Sequence, residues 1–122
     1  MNTKRFSSNL RGVLCAAICI LIPGISASVS DSQYGSIKAL GMLNGVALLC
    51  RYLEETQRMK QALVSTLPKR RELGMAFDQI TNDAFLSFIE RNETCPAASG
   101  FRESVDQAIQ SLKQSFPGRD SE

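Results

Sequence analysis

Apolar residues recur at helical intervals along most of the chain. Between positions 36 and 53 they fall at Leu40, Leu43, Val46, Ala47, Leu49, Cys50 and Leu53, with Lys38, Asn44 and Arg51 as polar breaks and Ser32 or Ser36 placed to cap the start. Met42 and Leu48 widen the apolar arc, so this helix is predicted to be the most buried, packed on several neighbours. A shorter pattern over 55–66 carries Met59, Ala62 and Leu63, and Glu54 stands four residues before Arg58, the spacing of a surface ion pair. Pro68 opens a new element, because proline suits a first helical turn and disrupts an interior. The third helix, over 69–91, spaces Leu73, Phe77, Ile80, Ala84, Phe85, Phe88 and Ile89 on one side. The fourth, over 100–116, does the same with Phe101, Val105, Ala108, Ile109, Leu112 and Phe116, leaving Arg102, Asp106, Gln110 and Lys113 to water. Pro117 and Gly118 stop it, and 118–122 reads as a frayed tail.

Strand signals are missing. No period-two alternation is sustained, and the Asn44-Gly45 pair lies inside an apolar run rather than between two strands. The expected fold is all-α, a small bundle of about four helices in one domain over 31–117. A chain of 122 residues has no room for a second core.

The first residues have a different character. Lys4, Arg5 and Arg11 form a positive start, Val13 to Ile22 is an uncharged apolar run, and Pro23-Gly24 breaks it before the small residues Ser26, Ala27, Ser28 and Ser30. This is the pattern of a secretory signal over 1–28, with cleavage between 27 and 30. The uncharged stretch from Gly12 to Ala27 is short of the roughly 20 residues that span a bilayer, so no stable membrane anchor is expected after cleavage. Cys15 and Cys19 act as apolar filler in that run and leave with it. The expected location is the periplasm, the cell exterior or a lumen.

Removing the signal changes the charge. It takes three of the 14 basic residues and none of the 12 acidic ones, so the mature chain is near −1 rather than +2. A near-neutral product without a basic stripe speaks against nucleic acid as a partner. Lys69-Arg70-Arg71 is the one basic cluster. It reads first as a solvated helix start, with a dibasic processing site or an anion contact as alternatives.

Two of the four cysteines remain after cleavage, Cys50 and Cys95. In an oxidising compartment they allow one intramolecular pairing, and a disulfide is expected. Closing a loop of about 46 residues stabilises a fold by roughly 4 kcal/mol in the chain-entropy model. Gly41 and Gly45 form a GxxxG pair that permits close helix approach. Intradomain packing is the first reading, and a ligand groove or homodimer seam are the others. The phenylalanines of the third helix are core by default, although Phe77, Phe85 and Phe88 beside the glycines would suit an apolar ligand. Asn92-Glu93-Thr94 is a glycosylation sequon that matters only in a eukaryotic secretory route.

Missing residues bear most on function. Without histidine the Ser-His-Asp, Cys-His and histidine-based metal arrangements are unavailable, and two cysteines cannot close a four-thiolate zinc site. There is no phosphate-binding glycine loop, Cys-x-x-Cys or EF-hand loop. Asp78 and Asp83 with the amide Asn82, and Glu90 with Glu93, are carboxylate-bearing groups best read as solvated helix surface. No catalytic residue, cofactor or metal is therefore expected. The expectation is a small exported non-catalytic protein that binds another protein, as an accessory, immunity or chaperone-like factor, with a carrier of a small apolar ligand as the alternative. In size and cysteine count the layout is similar to that of the HdeA-type periplasmic acid chaperones, although no residue motif is shared.

Overall fold

A computed structural model describes residues 28–118. Residues 1–27 of the expected signal and the last four residues of the tail lie outside them. Four helices occupy most of this stretch: α1 (Asp31–Leu49), α2 (Leu53–Thr66), α3 (Arg71–Glu90) and α4 (Ala98–Ser115). No strand occurs among the described residues, and the fold is an all-α bundle with a Cys50–Cys95 disulfide.

Helix α1 begins five residues before the expected start. Ser30 and Gln33 form a reciprocal capping box: Ser30 Oγ accepts from the Gln33 N–H at 3.1 Å, and the Ser30 N–H donates to Gln33 Oε1 at 3.0 Å. Residues 31–35 carry no apolar periodicity, so only the cap marks this first turn. The helix also ends earlier than the expected Leu53, because Arg51 takes a left-handed conformation with φ 60°. The Tyr52 N–H then donates to the Ala47 carbonyl at 2.8 Å, the closing bond of a Schellman turn. Helix α3 ends in the same way. Asn92 has φ 51°, its N–H donates to Ile89 O at 3.0 Å, and the Glu93 N–H donates to Phe88 O at 3.2 Å.

Helix α1 is the centre of the molecule, touching α2, α3 and α4. Helix α4 also packs on α2, whereas among the described helices α3 packs on α1 alone. The core combines Ile37, Leu40 and Ala47 of α1 with Met59, Leu73, Phe77, Phe101, Val105 and Leu112, all buried. Leu53 and Ile89, both expected inside, are exposed at 64% and 51%. The turn at Arg51 redirects the chain before Leu53, and Ile89 lies in the last turn of α3, on its solvent side.

Two further expectations are corrected at the helix contacts. Asn44 is no solvated break: it is 1% exposed, and its Nδ2 donates to Thr81 Oγ1 at 3.2 Å. Arg58 does not pair with Glu54. It bonds Glu55 at 2.6 Å on its own helix and reaches across to Asp106 of α4, while Glu54 takes Arg102 at 3.3 Å. The Asp106 bond foremost, with Glu55 adding to it against desolvation, raises the Arg58 pKa above its ordinary value.

Candidate functional site

Gly41 and Gly45 bring α3 onto α1. A Cβ built on Gly41 would lie 2.8 Å from Ile80 Cγ2, and one on Gly45 would lie 2.7 Å from both the Ala84 Cβ and the Thr81 carbonyl oxygen. The space that the glycines leave is filled by Ile80, Thr81 and Ala84, so it holds neither a ligand nor a second copy of the chain. Phe77 is in the core, Phe85 is half-buried and Phe88 is buried at the edge of the contact.

Helices α3 and α4 flank α1 on two sides, and their backbones do not come close to each other. Among the described residues, a face of α1 between them stays uncovered. Met42 is exposed there, and Leu43 and Val46 are half-buried. They form the floor of a groove of about 560 Å³ whose α3 wall is Ile80, Ala84, Ser87 and Phe88. Tyr34 and Lys38 mark the end towards the start of α1, Asp83 stands on the α3 side, and Arg91 and Glu93 lie at the other end, ion-paired at 2.8 Å. Over Leu43, Val46 and Phe88 the groove continues into a smaller hollow of about 320 Å³, walled by Pro96, Gly100, Phe101 and Ser104.

The disulfide closes this end. Cys50 lies just after α1 and Cys95 in the exposed connection between α3 and α4, with Cα atoms 5.7 Å apart. The Tyr52 hydroxyl donates to the Pro96 carbonyl, and the Tyr52 and Phe101 rings lie 5.2 Å apart. The disulfide and the Tyr52 hydroxyl tie the α3–α4 connection to the end of α1, and the ring contact ties the first turn of α4 to the same place.

The carboxylates and the Asn82 amide named from the sequence do not assemble. Asp78, Asn82, Asp83, Glu90 and Glu93 are all exposed, with Asp83 at the groove and Glu93 held by Arg91. Among the described residues no three histidine, cysteine, aspartate or glutamate side chains converge as a metal site. The groove itself was missed in the sequence, because Met42 reads there as breadth of the buried arc and Val46 as part of its stripe. No protein-family model, curated protein or solved structure matches the chain.

Proposed function

We propose that this is a small exported, non-catalytic protein that binds another protein, and that the occupant of the α1 groove is an amphipathic helix of the partner. The observation that carries this reading is the face of α1 left uncovered, among the described residues, between two helices whose backbones do not come close. A helix laid there would bury Met42, Leu43 and Val46 below it and Ile80 and Phe88 at its side, as in other helix-in-groove complexes. Lys38 on α1 and Asp83 on α3 set its polarity: the partner carries an acidic residue where it meets Lys38 and a basic one where it meets Asp83.

Export is supported by the disulfide, a bond characteristic of oxidising compartments. No helix among the described residues is long and apolar enough to cross a membrane. N-terminal sequencing of the exported product should begin between Ser28 and Asp31. A start at Met1 in membrane-bound protein would contradict the signal.

Site-directed photo-cross-linking in the exporting cell tests the binding role. A photoreactive residue at Met42 or Val46 should capture the same polypeptide through an amphipathic helical segment, and one at Val64, on the exposed side of α2, should not. Equal capture from all three positions would contradict a specific groove. A small apolar ligand is the competing occupant, although an open trough buries less of a small molecule than the enclosed sites such ligands prefer. Native mass spectrometry separates the two, since a bound small molecule would displace the protein-binding reading.

A further inference from the structure

Lys69, Arg70 and Arg71 are consecutive and exposed, and they occupy the connection between α2 and the first residue of α3. Leu67, which precedes Pro68, and Arg70 both have extended backbones, with φ/ψ of −75°/142° and −118°/121°. The Arg70 N–H donates to the Pro68 carbonyl at 2.7 Å, so the chain turns at Lys69, and exposed connections of this kind are where endoproteases nick a folded chain. Helices α2 and α3 do not pack on each other, so cutting between them breaks no helix contact. The Arg70 carbonyl accepts from the Leu73 N–H at 3.1 Å, a bond of the first turn of α3 that a cut after Arg70 would loosen.

The disulfide decides what such a cut would produce. Cys50 lies before the cluster and Cys95 after it, so both fragments stay covalently joined. Helix α3 also keeps its seam on α1 at Gly41 and Gly45, and α4 keeps its contacts with α1 and α2.

We propose that Lys69-Arg70-Arg71 is a proteolytic processing site for a serine endoprotease selective for paired basic residues, and that the product is a two-chain protein held by Cys50–Cys95. In the reaction water adds across the Arg70–Arg71 amide: the C–N bond breaks, Arg70 ends as a carboxylate and Arg71 begins as an amine. Other exposed arginines are less suited. Arg51 sits in a left-handed turn closed by the Tyr52 to Ala47 bond, and Arg91 caps α3 and is paired with Glu93.

The test uses the disulfide-intact chain, digested sparingly with trypsin and separately with a dibasic-selective endoprotease, and followed by intact mass and far-UV circular dichroism. The first product should be heavier by one water, keep its helical signal, and separate under reducing, denaturing conditions into chains joined at 69–71. The triple substitution Lys69→Gln, Arg70→Gln, Arg71→Gln should abolish this product while leaving the dichroism unchanged. A first cut at Arg51 or Arg91, loss of helical signal on cutting, or recovery of only the uncut chain from the compartment of export would overturn the proposal.

Discussion

Gly45 on α1 faces the backbone of Thr81 on α3, with room for a hydrogen and none for a methyl. The Thr81 carbonyl oxygen would lie 2.7 Å from an added Cβ. Backbone cannot swing aside as a side chain can, so Gly45→Ala should cost about 1 to 3 kcal/mol despite alanine's better helix propensity. Gly41→Ala meets mainly the Ile80 side chain and should cost less. Gly35→Ala, with open space around it, should stabilise by up to about 1 kcal/mol. Chemical denaturation of the three variants checks the order.

Arg51 carries a side chain in a left-handed conformation that costs an L-residue roughly 1 kcal/mol, and it does so where α1 must stop. Arg51→Gly should therefore stabilise by about 0.5 to 1 kcal/mol, read as a higher unfolding midpoint. An unchanged or lower midpoint would show that the side chain contributes more to the turn than its backbone costs.

Replacing Cys50 and Cys95 with alanine should destabilise by about 2 to 5 kcal/mol, with the helical dichroism kept at low temperature. The effect should be largest at the groove end. Hydrogen exchange ought to quicken first over 91–97, which loses its covalent tie to α1 while α3 keeps its glycine seam. Melting together with the parent would mean that Tyr52 and its contacts with Pro96 and Phe101 suffice.

Arg58 joins α2 to α4 by bonding the buried Glu55 and Asp106 together. In Arg58→Met the Glu55 carboxylate, 8% exposed, keeps only Arg102 at 3.8 Å among its ion pairs, and a loss of about 1 to 3 kcal/mol is expected. The Arg58 pKa is raised, so its contribution is complete below the unfolded value and disappears only as pH climbs through the folded one, at extreme alkalinity. With no histidine in the chain, the midpoints of parent and variant should keep the same separation between about pH 6 and 8. A separation that changes across this range would place a titrating group at the α2–α4 contact.

Periodicity carried the fold because α2, α3 and α4 each bury one stripe; the stripe of the fourth helix is legible throughout, and that of the third apart from exposed Ile89 and buried Thr81. What it missed has local causes. The start of α1 depends on a capping box at Ser30 and Gln33, which adds no apolar residue to the pattern. Its end depends on a left-handed arginine, which sequence reasoning assigns to glycine or asparagine. Asn44 looked solvated because it is polar, yet the glycines on either side draw α3 close enough to bury it against Thr81. The disulfide was legible from the cysteine count. The groove was not, since whether α3 and α4 meet over Met42 depends on tertiary packing that no single-helix pattern encodes.

The groove on α1 is tested most directly by the affinity of the cross-linked partner segment, made as a peptide, for three forms of the protein. Met42 and Val64 are both exposed, so Met42→Glu and Val64→Glu should each leave the unfolding midpoint near that of the parent. Calorimetric titration should then show Met42→Glu weakening binding by about tenfold or more, equivalent to roughly 1.4 kcal/mol, with Val64→Glu binding like the parent. Equal affinity of all three forms would contradict a binding site on this face of α1.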